Sequence, residues 1–314
     1  MGHIEELVAS LLVAFTTVVL YKLSLVMLKR AHISVFLALV FAFGTSAWST
    51  ASRALWQHGP SMLMLAIALY VLIAATTRPR LVMVAGLPLA LSFVIRPTNA
   101  IPILLISIYV YARHRNYFVW YLLCALPIAA GFVLYSLTIY GHPLPAYFVP
   151  DRLGVLQGRG AYAYVLAANL VSPNRGLFIF TPMLLFSVLG FVVARKNLLD
   201  NLLFALILLH WFAISSFRHW WGGWQFGPRF FTDMLPFLFY FLILAVQWID
   251  SLQGRGRAFA VSVFLAFSLA GMFIHYRGAN SWSTILWNAT PVDVDAMPTR
   301  VWDWSDIQFL RPGD

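Results

Sequence analysis

The stretch HWWGGWQFGPRFFTD, residues 219–233, brings together the side chains best suited to chemistry in this chain. Arg229 and Asp233 stand four residues apart, and on an α-helix this spacing brings two side chains together and favours an ion pair. A second interpretation has Arg229 pointing into a cavity to hold an anion, with Asp233 orienting it. A guanidinium suits phosphate because it stays charged and donates two parallel hydrogen bonds.

Aromatic residues surround this pair. A tryptophan belt at the membrane interface is one interpretation, because the amphipathic indole ring sits well at the level of the headgroups. A wall that stacks on a sugar ring or an isoprenoid chain is the other interpretation. The residues concerned are Trp220, Trp221 and Trp224, and Trp56 joins them from an earlier loop.

A second polar cluster lies in TSAWSTASRALWQHGP, residues 45–60. Here His58 is either a hydrogen-bonding residue at a membrane edge or a general base, and Arg53 lies close to it in sequence. Among the 11 Asp and Glu residues, Asp151 and Asp233 combine a predicted outer-face position with polar, aromatic loops between apolar runs. The sequence therefore indicates Asp233, Asp151 and His58 as the candidate catalytic residues.

Arginines recur on the same predicted face. Arg96 follows an apolar run in VIRPTNA, where a charge either snorkels to the interface or meets a partner such as a lipid phosphate. Arg175 follows Pro173 and Asn174 at a predicted helix start, where the positive end of the helix dipole favours anions. The predicted phosphate-binding set is Arg229, Arg96, Arg53, Arg175 and Arg218.

No cofactor follows from these residues. The chain has one cysteine, Cys124, which excludes an intramolecular disulfide. No second histidine or cysteine stands near His58 at the spacing of a zinc site, so we predict none. A divalent metal ion stays open as a cofactor.

Composition indicates which class of protein positions these side chains. Of the 314 residues, 61% are hydrophobic and 10% are charged, and the mean hydropathy is +0.80. A soluble domain of this composition could not cover its surface with polar groups. The net charge of +10 is spread in pairs between apolar runs and forms no basic stripe, so we expect no nucleic-acid partner. We predict an all-α polytopic membrane protein surrounded by membrane lipids.

The transmembrane helices are predicted at about ten apolar runs, near residues 7–28, 32–45, 61–76, 81–95, 99–112, 117–139, 176–194, 201–215, 231–248 and 258–275. Short connections with two basic residues each face the cytoplasm by the positive-inside rule. These pairs are Lys29/Arg30, Arg78/Arg80, Arg113/Arg115, Arg195/Lys196 and Arg255/Arg257. The longer, aromatic connections then face outward, which in a bacterial inner membrane is the periplasm.

The predicted outer face holds two further segments. Residues 161–171, within an outer loop at about 140–175, are too few to span and predict a helix on the membrane surface. Tryptophans in the tail 276–314 predict that it folds back onto the outer surface. The chain is thus divided into a transmembrane domain, 1–275, and an outer-face tail.

The alternating topology also places the N-terminus outside. Glu5 and Glu6 precede the first apolar run, and no signal peptide explains how this end crossed the membrane. We therefore expect that upstream spans are missing from this chain.

Four motifs appear in order along nearly the whole chain: TSAWSTASRALWQHGP, VIRPTNAI, SPNRGLFIFTP and WWGGWQFGPRFFTDMLPFL. In these motifs the chain resembles the bacterial polyprenyl-phosphate-sugar-dependent glycosyltransferases of the GT-C class (glycosyltransferase family 39-like). These are relatives of protein O-mannosyltransferases and of the aminoarabinose transferases that modify lipid A. The resemblance implies a GT-C-like bundle that moves a mannose-like sugar from a polyprenyl phosphate to a protein, lipid or glycan acceptor. Transfer would occur on the periplasmic face, with inversion at the anomeric carbon.

The resemblance also implies roles for individual residues. Arg229 and Arg96 match positions that serve the lipid phosphate, and Arg53 and His58 lie in an outer loop that faces the site. The first span of the family, and the loop that bears its catalytic aspartate, have no counterpart here. On this resemblance the chain binds the donor and lacks the base.

Two other function classes stay open. One is a transporter or flippase for a lipid-linked sugar, although transporter folds often contain internal repeats and no convincing repeat is visible here. The other is a non-catalytic, lipid-binding accessory protein. If Arg229 binds the donor phosphate, Arg229→Ala abolishes donor binding, whereas Arg257→Ala on the inner face leaves it unchanged.

Overall fold

The computed structural model describes residues 2–148 and 159–312, and all regular secondary structure in those ranges is helical. This confirms the all-α class that the apolar runs predict. Asp151, one of the candidate catalytic residues, lies outside the described residues.

The helices follow one another with short connections. Along the described residues they are α1 Gly2–Leu28, α2 Ala31–Gly44, α3 His58–Ala74, α4 Gly86–Ile95, α5 Ala100–Arg113, α6 Arg115–Tyr140, α7 Arg159–Val171, α8 Leu177–Phe180, α9 Leu185–Val193, α10 Leu198–Ser215, α11 Leu235–Ser251, α12 Gly254–Asn280 and α13 Trp282–Leu286. Each predicted apolar run lies on helical structure; the run 176–194 covers both α8 and α9, and the run 231–248 begins in the 3₁₀ turn Arg229–Met234 before α11. At 81–95 and 176–194 a 3₁₀ turn completes the run, Pro79–Ala85 before α4 and Pro182–Leu184 between α8 and α9.

Helices long and apolar enough to cross a membrane number five among the described residues. They are His3–Leu28, Arg115–Tyr140, Leu198–Ser215, Arg229–Ser251 and Gly254–Asn280. The other apolar runs form shorter helices, such as α2 with 14 residues, whereas a bilayer needs about 20 residues. The count of about ten spans therefore stays a prediction.

Helix α11 lies at the centre of the bundle and α6 at its edge. In an 18-residue apolar stretch of the segment that contains α11, 83% of the residues are buried, against 6% in the corresponding stretch of α6. Helix α9 packs closely on α11 at Gly190, which has no side chain. A Cβ atom added there would lie only 1.8 Å from the carbonyl oxygen of Phe241. Small residues permit such close approach of two helix backbones. The 3₁₀ turn Arg229–Met234 leads directly into α11, so the packed centre of the bundle fixes the position of Asp233.

Polar contacts gather at two opposite ends of the bundle. At one end, the basic-pair end, Asp250 accepts hydrogen bonds from Arg30 at 2.7 Å and from Arg257 at 2.8 Å. This contact joins two of the connections that carry basic pairs. The connections 45–57 and 96–99 meet the turn Arg229–Met234 at the other end, where the Ser46 and Thr232 hydroxyls lie 2.8 Å apart and Arg96 donates to Asp233. The alternation of connections in the sequence predicts this segregation.

The tail packs against the loop 172–176 and helix α7. Asn174 joins the two segments: its amide donates to the carbonyl of Arg300 at 3.2 Å, and its Oδ1 accepts from the Gln308 backbone at 2.7 Å. Trp287 is fully buried in a cluster that includes Val165 of α7. Residues 161–171 are helical as predicted, and the tail covers one side of that helix.

Candidate functional site

A cavity of about 520 Å³, here called the arginine cavity, lies where the turn Pro97–Asn99 meets the loop 216–228. Most of its wall is apolar or aromatic, and the polar side chains in it include two arginines. Its lining residues are Phe93, Arg96, Pro97, Thr98, Ala100, Ile101, Tyr147, Phe148, Ala213, Phe217, Arg218, His219 and Phe230. A concave apolar wall with few convergent polar groups is the usual form of a small-molecule site.

Arg96 is the buried cation of this cavity. It follows α4 and precedes Pro97, and the residue before a proline is driven from helical to extended backbone; Arg96 accordingly has φ −147° and ψ 125°. The residue is 4% exposed, and its guanidinium donates to the Asp233 carboxylate and the His58 imidazole. Its Nε has no partner among the described residues. Arg96 therefore keeps hydrogen-bonding capacity at the edge of an apolar cavity.

Asp233 and His58 lie behind Arg96 and hold it in place. Asp233 is fully buried, and its Oδ1 is 3.4 Å from Nδ1 of His58. Neither residue is part of the cavity wall. A buried guanidinium needs such partners, because an uncompensated charge in the interior is strongly destabilising. Both residues thus position Arg96 from behind the cavity wall.

The ion pair predicted from the spacing of Arg229 and Asp233 does not form. Residues 229–234 adopt a 3₁₀ helix, and with about three residues per turn, side chains four positions apart point about 120° away from each other. Asp233 pairs instead with Arg96, 137 positions away in sequence. The assumption of α-helical geometry in this segment was wrong.

Arg229 lies beside the cavity and outside its wall. Its Nη2 donates to the carbonyl of Gly222 at 2.8 Å, and its guanidinium carbon is 4.8 Å from the ring centroid of Trp56 and 5.6 Å from that of Phe230. Gly222 has φ +79°, a conformation that glycine adopts without strain. Phe230 contacts both Arg229 and the cavity, so this cation lies one ring away from any bound molecule.

Arg218 and His219 are exposed and belong to the cavity wall. Arg218 forms none of the ion pairs found among the described residues, so its charge is available to an anion. The His219 ring lies 5.2 Å from that of Trp221. The sequence interpretation passed over His219 as a functional residue, although a histidine directly after an arginine in an aromatic loop is a visible signal. The part of the wall that the structure describes contains no carboxylate.

Arg175, predicted to bind phosphate, is instead fully engaged in the fold. Its five N–H groups donate to the carbonyls of Trp221, Asn174 and Gly223 and to the side chains of Gln308 and Asn288, at 2.7 to 3.2 Å. Burial lowers the pKa of Arg175 to about 9, so it stays protonated at neutral pH. No N–H group remains for an anion, and the residue does not reach the arginine cavity.

The tryptophans of 219–233 contact the tail and not the cavity. Trp220 and Trp221 are buried against Trp287, and the Trp221 indole donates to Asp295 at 2.7 Å. Trp224 is 50% exposed and donates to Asp293 at 3.2 Å. None of these three tryptophans lines the arginine cavity, whose aromatic wall includes Phe93, Phe148, Phe217 and Phe230.

Two further predicted residues lie at the periphery. Trp56 is 48% exposed and reaches the site through its contact with Arg229. Arg53 lies 3.9 Å from Glu6 in an exposed ion pair and does not line the cavity. No cluster of three or more His, Cys, Asp or Glu residues that could hold a metal ion is found among the described residues.

Comparison of the chain with protein-family models, with curated proteins and with solved structures finds no match. The fold and the site define a class: a helical protein with helices apolar and long enough to cross a membrane, and a cationic, aromatic cavity at one end.

Proposed function

We propose that this protein is a membrane glycosyltransferase that moves a mannose-like sugar from a polyprenyl-phosphate donor to an acceptor at the cavity end of the bundle. The observation that carries the proposal is the arginine cavity of about 520 Å³, where Arg96 and Arg218 meet Phe93, Phe148 and Phe217. A phosphate on an isoprenoid chain requires cations and apolar surface side by side. The motif resemblance supports the same donor class.

The phosphate of the donor would bind between Arg96 and Arg218. Arg229 adds a third positive charge nearby. Among the described residues, Asp233 is the one carboxylate that pairs with any of these three arginines, and it pairs with Arg96. The net positive charge favours an anion. Guanidinium groups also make short, charge-assisted hydrogen bonds to phosphate.

The transfer would proceed by direct displacement. The acceptor oxygen forms a bond to the anomeric carbon, while the bond from that carbon to the phosphate oxygen breaks and polyprenyl phosphate leaves with the electron pair. Arg96 and Arg218 stabilise the charge that develops on the leaving phosphate. His219 takes the proton from the acceptor, because imidazole is the side chain best matched to proton transfer near neutral pH. Asp151 is a second candidate for this base.

Binding of the donor lipid without turnover is the second candidate function. One observation favours it: no carboxylate lines the described part of the cavity. The GT-C glycosyltransferases that the motifs resemble use an aspartate as base. An accessory protein of this kind would need the arginines and the aromatic wall and no proton acceptor.

The test uses the protein in lipid nanodiscs with a radiolabelled polyprenyl-phosphate mannose and, separately, an acceptor-containing membrane fraction. Donor binding and release of the sugar are measured for the wild type, His219→Gln and Arg218→Ala. We expect sugar transfer by the wild type, a loss of about 100-fold or more in rate for His219→Gln with unchanged donor binding, and weaker donor binding for Arg218→Ala.

The outcomes separate the alternatives. Saturable donor binding with no sugar release by the wild type would replace the transferase with the lipid-binding accessory. Movement of labelled donor between the leaflets of sealed proteoliposomes, without sugar release, would favour a transporter. Absence of donor binding would contradict all of these functions.

A further inference from the structure

A second cavity, of about 550 Å³, lies at the basic-pair end of the bundle and is called here the Asp200 cavity. Helices α9, α10 and α11 surround it. Its lining residues are Val193, Ala194, Arg195, Asn197, Asp200, Tyr240, Leu244, Gln247, Trp248 and Ser251. None of these residues lines the arginine cavity, so this is a separate site.

Asp200 supplies a buried negative charge to this cavity. It is 2% exposed, its Oδ1 accepts a hydrogen bond from the Tyr240 hydroxyl at 2.6 Å, and its Oδ2 accepts from the Asn197 backbone at 3.3 Å. Both donors are neutral. Asp200 is also the N3 residue of a capping box with Asn197 at the start of α10, where the positive end of the helix dipole favours its charge. No cation pairs with Asp200 among the described residues.

Arg195 supplies a positive charge to the same cavity. It is exposed and forms no ion pair with a carboxylate in the part of the chain that the structure describes, Asp200 included. The cavity thus holds two opposite charges that do not neutralise each other. Trp248 lies at its side, and Val193 and Leu244 give it an apolar flank on α9 and α11.

We propose that the Asp200 cavity binds the headgroup of a zwitterionic phospholipid that carries a primary ammonium and a phosphate. The ammonium pairs with Asp200 and the phosphate with Arg195, while the acyl chains leave along Val193 and Leu244. An anionic lipid without the ammonium uses Arg195 alone and leaves Asp200 without a cationic partner. A partly apolar flank and a tryptophan beside a polar pocket suit a lipid at a membrane interface.

The test measures binding of three probes to the purified full-length protein in detergent: short-chain phosphatidylethanolamine, short-chain phosphatidylglycerol and soluble phosphoethanolamine. For the wild type we expect saturable binding of phosphatidylethanolamine, at least about tenfold tighter than phosphatidylglycerol. Asp200→Asn, which keeps the shape of the side chain and removes its charge, should abolish this preference. Arg195→Ala should weaken the binding of both lipids.

Lys196→Ala is the matched control, because Lys196 is adjacent to Arg195 and its ammonium lies 5.8 Å from the ring centroid of Phe191, outside the cavity wall. It should leave the binding of all probes unchanged. Thermal unfolding identifies any variant that is misfolded. The proposal would be overturned if the wild type bound phosphatidylethanolamine and phosphatidylglycerol equally well, or if Asp200→Asn kept the wild-type preference. It would also be overturned if Lys196→Ala weakened lipid binding as much as Arg195→Ala. Soluble phosphoethanolamine binding as tightly as the lipid would overturn the lipid assignment.

Discussion

Arg96 and Arg175 are both buried, both lie within two residues of a proline, and both are predicted from the sequence to bind a lipid phosphate. The structure separates them by their hydrogen bonds. All five N–H groups of Arg175 are taken by protein acceptors, whereas the Nε of Arg96 has no partner among the described residues and the side chain borders a cavity. Burial alone does not distinguish these two arginines; their unused donors do.

The partners of the two arginines differ as well. Arg96 is held by an ionisable pair, Asp233 and His58, whereas the partners of Arg175 are neutral oxygens from three separate segments. Those segments are the loop 172–176, the loop 216–228 and the tail. Arg175 therefore acts as a cross-link of the cavity end, and Arg96 as a charge presented to a cavity.

Substitution of Arg175 by Ala should have the largest effect of all on stability. This effect should be confined to folding. Several buried carbonyl and amide oxygens would lose their donor, which we expect to lower the free energy of unfolding by about 4 kcal/mol. Denaturant unfolding in detergent measures this loss. Arg53→Ala, an exposed arginine, is the control and should change stability by less than about 0.5 kcal/mol. A stable Arg175→Ala protein that loses only donor binding would reverse the comparison.

Asp233→Asn should disturb both properties. It leaves the Arg96 guanidinium buried without its counter-ion, which we expect to cost about 3 kcal/mol of stability, and donor affinity should fall because Arg96 is no longer held in place. Unfolding and donor titration of the same preparation measure the two effects. Asp293→Asn, where the carboxylate accepts only from exposed Trp224 and its own loop, should change neither by a comparable amount. Unchanged donor affinity in Asp233→Asn would remove Arg96 from the site.

Arg218→Ala should weaken donor binding and leave the fold intact. The side chain is exposed and forms no ion pair in the described structure, so its loss should raise the donor Kd by about tenfold, which corresponds to about 1.4 kcal/mol. Arg257→Ala at the basic-pair end serves as the comparison, because that residue pairs with Asp250 at 2.8 Å far from the cavity. Equal Kd values for the two variants would contradict the assignment of Arg218.

The smallest effect is expected for Trp56→Ala. The ring covers Arg229, and a partly exposed cation–π contact contributes about 0.5–1 kcal/mol, so the donor Kd should rise by about twofold to fivefold. Trp224→Ala is a close match, since Trp224 is 50% exposed and Trp56 48%, yet Trp224 contacts Asp293 and not an arginine of the site. Its donor Kd should equal that of the wild type.

The helices could be predicted from the sequence because a long apolar run has few alternatives to a helix in a membrane. Every apolar run that was identified lies on helical structure, and two of the five connections with basic pairs meet at Asp250. Residues 161–171 were also predicted as a helix on length and composition alone. The number of membrane spans could not be predicted in the same way, because helices such as α2 are too short to cross a bilayer.

The site could be predicted only in part, because pairing depends on backbone geometry and on contacts distant in sequence. Arg229 and Asp233 have α-helical spacing, but the segment is a 3₁₀ helix. Trp220 and Trp221 would suit a substrate wall, but the tail, more than 60 positions later, covers them. Asp233 and Arg96 were identified separately, and nothing in the spacing of their motifs shows that they meet.

The central claim is that a lipid-linked phosphate binds between Arg96 and Arg218. The most direct measurement is a cryo-electron microscopy structure of the full-length protein in nanodiscs, saturated with a non-hydrolysable polyprenyl-phosphate sugar. The account predicts that the phosphate lies within hydrogen-bonding distance of both guanidinium groups, with the isoprenoid chain against Phe93 and Phe148. Density for the donor elsewhere, or an arginine cavity that stays empty at saturation, would contradict it.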